Sequence, residues 1–207
     1  MNSLPSDLPP PKYGDNEFFQ LLIPDDIHRL NRLLGAIGKW RALAEAEFRT
    51  LQTETDSSKA SPGDEYGYDP IADEAFLTLA TERALFGSLA VAIATIAETW
   101  VGQLCRARKI TFVDSKGKPI VKPNWGHKKA ALEKELGVTF EGMAGFPDNK
   151  RARLLGNCFK HHEGKVDADC AKHLSLKEEE EIEYEKQDWH AMIDGTRAFL
   201  LDLAGKM

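Results

Sequence analysis

Residues 84–97 read ALFGSLAVAIATIA, and this apolar stretch decides the fold class of the 207-residue chain. Arg83 and Glu98 close it at either end, and its 14 residues are too few to span a bilayer as a helix. A helix that is apolar on nearly every side is normally surrounded by other helices. The stretch therefore predicts a long buried central helix, which we extend from residue 71 to residue 108.

Helical spacing of apolar residues continues on both sides of this stretch. Pro24 followed by two aspartates predicts the start of the first helix, and Gly137 predicts a C-terminal cap. Ser175 and Glu178 form the pattern of a capping box at the start of the last helix. Residues 110–121 fit either a short hairpin or a loop. The predicted fold is all-α, a bundle of about five helices, with the remaining four over residues 24–53, 127–136, 148–162 and 175–204.

The chain is predicted to form one domain with an N-terminal arm. Residues 1–20 are rich in proline and aperiodic, whereas residues 21–207 have the length of one globular domain, and 42% of the chain is hydrophobic. The N-terminus has neither the basic nor the apolar segment of a secretory signal. Three cysteines, an odd number, argue against a disulfide framework. We expect a cytoplasmic protein without a membrane partner.

Charge is unevenly distributed along the chain, whose net charge is −6. Residues 106–165 contain fourteen Lys and Arg against six Asp and Glu, and the rest of the chain contains thirteen against twenty-seven. The asymmetry either marks a basic surface for an anionic partner or is neutralised between segments within the fold. The negative net charge by itself disfavours a nucleic-acid partner, but the basic region at residues 106–165 permits one.

The stretch DNKRARLLGNCFKHHEGK, residues 148–165, contains the side chains best suited to chemistry. On a helix, Arg153, Asn157 and His161 lie one above another at i, i+4 and i+8. A histidine can move a proton at a 2′-hydroxyl or a leaving oxygen, and an arginine can hold the phosphate between them. These residue types predict RNA cleavage without a metal or a cofactor, and the alternative is a solvated polar face whose histidine caps the helix. The neighbouring cations are candidates for substrate binding: Lys160, Lys165 and Arg151.

Two Cys-x-x-His pairs overlap the same region. Cys158 precedes His161, and Cys170 precedes His173, with eight residues between the pairs. Two thiolates and two imidazoles form a tetrahedral zinc set. Against this set, Cys158 belongs to the apolar stripe of the predicted helix, and the intervening loop is shorter than in usual structural zinc motifs. A zinc-binding module is the third interpretation of the chain.

The order of these elements matches a known pattern. Glu98 lies on the long central helix, a short lysine-rich helix follows at residues 127–136, and the next helix contains GNCFKH, residues 156–161, with Gly164 after it. Over residues 71–204 the chain resembles the HEPN superfamily of small helical-bundle proteins, many of them RNases of toxin–antitoxin and antiviral systems. The signature helix of that family reads Arg-Asn-x-x-x-His, followed by a glycine.

The resemblance implies a function and partners. It implies a two-fold homodimer in which the signature helices of both subunits meet at a cleft that cuts RNA. It also implies products that end in a 2′,3′-cyclic phosphate, and a cognate antitoxin or defence-complex partner. Glu98 would orient Arg153, as the acidic residue of the family supports its arginine.

The chain departs from the family pattern at one position. Gly156 stands where the family has arginine, and Arg153 lies one helical turn, about 5.4 Å, earlier. In the first hypothesis the protein is a metal-independent endoribonuclease, in which His161 is the general acid or base, Arg153 holds phosphate and Asn157 positions the substrate. In the second, it is a catalytically inactive HEPN-like binding or assembly module.

Overall fold

The computed structural model describes residues 16–57, 70–114 and 116–207. Within these ranges the chain forms six α-helices and no extended β-strand. The all-α fold class is confirmed, with one short helix more than the sequence indicated. The helices are α1 (Asn16–Ser57), α2 (Pro70–Ala107), α3 (Trp125–Leu136), α4 (Phe146–His161), α5 (Ala168–Leu174) and α6 (Trp189–Gly205).

Caps determine where α3 begins and ends. The Asn124 side chain accepts the backbone N–H of His127 at 3.0 Å, which satisfies one of the free donors at the helix start. Gly137 ends the helix in the left-handed conformation, with φ of 64°. Glycine adopts this conformation without steric cost, so the predicted C-terminal cap is confirmed.

The start of α1 differs from the prediction. The helix begins at Asn16, and Pro24 lies inside it rather than at its first turn. A proline in a helix interior costs about 3 kcal/mol because it removes a hydrogen bond and clashes with the preceding turn. Ile23 and Ile27 are both buried and offset this cost. The predicted arm, residues 1–20, lies outside the described residues as far as residue 15, and its remainder belongs to α1.

The last helix begins at Trp189, so the capping box predicted at Ser175 is wrong. Ser175 has φ of 54° and instead follows the C-terminal end of α5. Backbone hydrogen bonds join residues 164–166 to residues 179–182, which places the second segment in an extended pairing. This pairing also keeps four consecutive glutamates, residues 178–181, from sharing one helical turn, where like charges repel.

Contacts divide the described residues into two compact units. Unit 1 contains the described residues up to 29, together with residues 93–153 and 190–207. Unit 2 contains residues 30–92 and 154–189, apart from those that are not described. Helices α1, α2 and α4 contribute residues to both units, and α6 contributes its first residue, Trp189, to unit 2 and the rest to unit 1.

Unit 1 is built around Phe140, whose side chain has no exposed surface. Its ring centroid lies 5.1 Å from that of Phe199, 5.6 Å from that of Phe146 and 6.2 Å from that of Trp125, in edge-to-face arrangements. Each such pair contributes about 0.5–1.5 kcal/mol beyond the burial of its area. The aromatic cluster therefore connects α3, α4 and α6.

Within unit 1, α4 and α6 approach each other at two glycines. Gly145 precedes α4 with φ of 70°, and a Cβ atom there would overlap the carbonyl oxygen of Gly195. A Cβ atom on Gly195 would in turn overlap the side chain of Asp148. The close backbone contact depends on the absence of a side chain at both positions.

Unit 2 packs a second aromatic group around Phe86 of α2. Its ring lies 5.3 Å from the ring of Tyr184 and 5.2 Å from that of Trp189, centroid to centroid, in stacked arrangements. Three residues earlier on α2, Arg83 donates to the backbone carbonyl of Glu163 and forms an ion pair with Glu181 at 2.6 Å. These contacts attach the segments that flank α5 to α2.

Helix α2 is also the one candidate membrane span among the described residues. Over Ile71–Ala107 it is long and apolar enough to cross a membrane, and 44% of its most apolar 18-residue window is buried. A core helix of a soluble protein passes the same test, and a buried stripe runs along α2 from Phe86 to Cys105. The predicted buried helix is therefore found, while its first turns are largely exposed.

Candidate functional site

The predicted row of polar side chains is found on α4. Arg153, Asn157 and His161 occupy successive turns, over about 12 Å of helix. Asn157 and His161 are exposed, as is Lys160, and no described group bonds to their side chains. Arg153 belongs to unit 1, and the other three belong to unit 2. Of the remaining predicted substrate-binding residues, Lys165 is exposed and Arg151 is half-buried.

The guanidinium of Arg153 is held by an aromatic ring. Its central carbon lies 3.6 Å from the ring centroid of Trp125, at the distance of a cation–π contact. Burial lowers the pKa of Arg153 to about 10, and the nearby Glu98 carboxylate opposes this shift. Glu98 is itself paired with Lys128, with 3.1 Å between Nζ and Oε1. In unit 1 the arginine is thus committed to a cluster with Trp125, Glu98 and Lys128.

Gly156, which stands at the position of the family's arginine, is buried on α4. Its two neighbours along the helix differ in environment, since Leu155 is buried and Asn157 is exposed. The α4 surface beside Asn157 and His161 therefore has no arginine from this position. The sequence left two alternatives: Arg153 replaces the arginine missing at position 156, or catalysis is lost. The structure places the Arg153 side chain on the ring of Trp125.

A hairpin follows α2 and carries part of the basic region. Phe112 accepts the backbone N–H of Ile120 at 2.8 Å, and Val113 and Pro119 form an isolated bridge. The Asp114 carboxylate accepts the backbone N–H groups of residues 116 and 118, both at 2.8 Å, which closes the turn. Of the two structures predicted for residues 110–121, the hairpin is the one found.

This hairpin and α2 enclose a groove of about 610 Å³ within unit 1. Such a volume lies in the range of ligand-binding clefts. One wall is apolar, with Phe112 as its only aromatic side chain, and the other offers hydroxyl and charged groups. The lining residues are Thr95, Glu98, Thr99, Gly102, Arg106, Phe112, Ile120, Val121, Pro123 and Lys128.

The basic segment, which we define as residues 106–122, supplies four residues to the lining of the groove, and its positive charge is largely uncompensated. The segment contains six Lys and Arg against one aspartate. Five of the six cations are exposed, and none of the five forms an ion pair with a described carboxylate: Arg106, Lys109, Lys116, Lys118 and Lys122. Elsewhere in unit 1, Lys129 is paired with both Glu133 and Glu141, so its charge is locally neutralised. The basic segment is therefore the concentrated positive surface of unit 1.

The four-residue zinc set predicted from the Cys-x-x-His pairs is not assembled. Cys158 and Cys170 do come together, but the third ligand atom beside their sulfurs belongs to Asp167. His161 and His173 are exposed, and neither belongs to the group of potential ligand atoms that the described residues form there. The zinc ligands proposed from spacing alone therefore need correction at both histidines.

Three residues of these sites were not predicted from the sequence. Trp125 holds Arg153, Phe112 lines the groove, and Asp167 joins the two cysteines. An aromatic residue inside a lysine-rich hairpin is a sequence signal that favours Phe112. No local signal indicates Trp125 or Asp167, because their partners are distant in the sequence.

Comparison with known proteins adds no relative: no family model, no curated protein and no solved structure matches the chain.

Proposed function

We propose that the protein is an HEPN-like module that binds single-stranded RNA through the groove and the basic segment of unit 1. The observation that carries the proposal is that the basic segment, whose five exposed cations form no ion pair with a described carboxylate, also supplies Arg106 and Phe112 to the groove. Cations that neutralise phosphates supply most of the affinity for RNA, and aromatic side chains add stacking with its bases. A groove that combines both is suited to a strand whose bases are unpaired.

The polar wall of the groove supports the same function. Thr95 and Thr99 are exposed on α2 and offer hydroxyl groups to ribose and base edges. The Glu98 carboxylate would repel phosphates, but Lys128 lies 3.1 Å away and offsets its charge. The groove thus presents hydrogen-bonding groups without a net negative charge.

The position of Arg153 favours binding over catalysis. A phosphate-holding arginine must lie beside the histidine that moves the proton. Arg153 stacks on Trp125 and originates about 12 Å along the helix from His161, and Gly156 supplies no substitute. This arrangement supports the hypothesis of a module that has lost the catalytic arginine and kept its RNA surface.

Charge reversal on the basic segment tests the proposal. We expect Lys118→Glu/Lys122→Glu to weaken binding of a fluorescein-labelled single-stranded RNA, because two phosphate contacts are replaced by repulsion. Each lost contact lowers the slope of log affinity against log salt by about 0.7. Fluorescence anisotropy at a series of KCl concentrations measures both the affinity and the slope.

The matched control reverses two positive charges that lie outside the basic segment. Lys39 and Arg197 are exposed and lie outside the basic segment, so Lys39→Glu/Arg197→Glu should bind nearly as the wild type does. Equal weakening by both double variants would show that only the overall charge matters. That result, or a wild type that does not bind RNA at low salt, would overturn the proposal.

The metal-independent endoribonuclease is the second candidate function. Asn157, Lys160 and His161 are all exposed near the end of α4, which favours it. In this candidate, two copies of the chain would pair, so that each α4 contributes one histidine and the partner's helix completes the site. Its setting would be a toxin–antitoxin or antiviral system.

Cleavage assays separate the two candidates. If the endoribonuclease is correct, the wild type should cut a mixed RNA, with or without EDTA, to products that end in a 2′,3′-cyclic phosphate. His161→Ala should abolish the cleavage, because it removes the imidazole that moves the proton in this candidate. His190→Ala, which changes an exposed histidine on α6, should retain it. RNA that the wild type binds and leaves intact would contradict this candidate and leave the binding module.

A further inference from the structure

Two cysteines and an aspartate converge in unit 2. Cys158 lies on α4, Cys170 lies on α5, and neither has more than a trace of exposed surface. Their sulfurs and a carboxylate oxygen of Asp167 all lie within 4.8 Å of one another. Neither thiol is oxidised to a disulfide. The RNA-binding function uses none of these three residues.

The chain holds the carboxylate in place through the start of α5. Asp167 is the N-cap of this helix, and its Oδ1 accepts the backbone N–H of Cys170 at 2.7 Å. Its Oδ2 lies 3.7 Å from Nε2 of His162. The His162 side chain is half exposed, so the imidazole can rotate toward the cluster without repacking the core.

The pKa of Cys158 is lowered from its ordinary value. A hydrogen bond with the Cys170 thiol is the largest cause, burial opposes it, the backbone N–H of Asp167 lowers the pKa further, and the Asp167 carboxylate raises it. Cys105 provides a contrast within the same chain. It is equally buried, and there burial raises the thiol pKa to about 11. The two thiols differ in their hydrogen-bond donors, because the Cys170 thiol and the backbone N–H of Asp167 act on the sulfur of Cys158.

We propose that Cys158, Asp167 and Cys170 bind a Zn²⁺ ion, with His162 as the fourth ligand. Two sulfurs, one oxygen and one imidazole nitrogen form a ligand set that binds zinc in preference to harder cations. Zinc–sulfur bonds of about 2.3 Å at tetrahedral angles place two sulfurs about 3.8 Å apart. The two sulfurs lie within 4.8 Å of each other, so they reach this spacing if their distance shortens by about 1 Å at most.

The balance of charge is consistent with this ligand set. Binding displaces one proton from each thiol, and two thiolates with one carboxylate leave a net charge of −1 around Zn²⁺ and a neutral imidazole. The ion would close the segment from residue 158 to residue 170 and fix α5 on the end of α4. This site is independent of the proposed RNA function.

Metal binding to the full chain tests the proposal. We expect the protein purified without chelator to contain about one zinc per chain by elemental analysis, and zinc to raise the melting temperature of the metal-free protein. Co²⁺ added to the metal-free protein should give the thiolate charge-transfer and tetrahedral d–d absorption bands. Cys170→Ser should abolish those bands.

Asp167→Asn gives a test that does not depend on loss of the fold. Asparagine retains the N-cap hydrogen bond to Cys170 and removes the charge, so the metal-free variant should keep its melting temperature. Its zinc affinity should fall at least about tenfold, as losses of even outer-sphere partners do. His162→Ala should weaken zinc binding, whereas His161→Ala should not.

Cys105→Ser is the matched control, because it removes an equally buried thiol that belongs to no cluster of potential metal ligands among the described residues. It should leave the zinc content and the cobalt spectrum unchanged. A metal-free, fully reduced wild type that takes up neither ion would overturn the proposal. So would equal loss of zinc in Cys105→Ser and Cys170→Ser, since the metal would then not lie at this cluster.

Discussion

Gly145→Ala should lower the free energy of unfolding by about 2–5 kcal/mol, since two separate costs coincide at this residue. The left-handed conformation, with φ of 70°, costs an L-residue about 1–2 kcal/mol. The added Cβ also overlaps the backbone carbonyl of Gly195, and overpacking of this kind costs about 1–3 kcal/mol or more because backbone must shift. Urea denaturation followed by far-UV circular dichroism measures the loss.

Two glycines of the same chain separate these costs. Gly137 has φ of 64° with open space around its Cβ position, so Gly137→Ala should show the conformational cost alone, about 1–2 kcal/mol. Gly38 lies inside α1 with open space and an ordinary helical conformation, so Gly38→Ala should stabilise by up to about 1 kcal/mol. Equal losses in Gly145→Ala and Gly137→Ala would show that α4 and α6 do not approach closely at this point.

Local signals in the sequence account for most of the helices. The bounds of α2 and α3 follow from apolar spacing and from the Gly137 cap, because each signal acts within a few residues of the structure it predicts. Ser175 shows where local signals are insufficient. Its pattern with Glu178 fits a helix start, but the pairing of residues 164–166 with residues 179–182 decides its conformation. That pairing is not visible within one sequence window.

The candidate sites depend still more on contacts between distant residues. The spacing of Arg153 on α4 was predictable, but the direction of its side chain depends on Trp125, which belongs to another helix. The two cysteines were predictable as a pair, whereas the neighbouring ligand is Asp167 rather than a histidine because the turn after α4 brings the N-cap of α5 beside them. Residue types indicate which chemistry a region of the chain can support, and tertiary packing determines which of its side chains come into contact.

Phe140→Ala should be the most destabilising core substitution in unit 1, with a loss of about 3–5 kcal/mol in the free energy of unfolding. The ring has no exposed surface and contacts three other aromatic rings, so its removal leaves a cavity that rigid neighbours cannot fill. Denaturation as for Gly145→Ala measures the loss. A change below about 1 kcal/mol would contradict the packing described here.

Phe112→Ala is the matched control, and the pair separates stability from RNA binding. Phe112 is half-buried and lines the groove, so its removal should cost much less stability than that of Phe140. If RNA bases stack on it, affinity should fall about 5- to 150-fold, because one stacked base contributes about 1–3 kcal/mol. Phe140→Ala, assayed at a temperature where it is folded, should bind RNA nearly as the wild type does. Reduced RNA binding in both variants would show that the loss at Phe112 reflects the fold and not a contact with RNA. Reduced binding in Phe112→Ala alone, with little loss of stability, would identify Phe112 as a residue that contacts RNA.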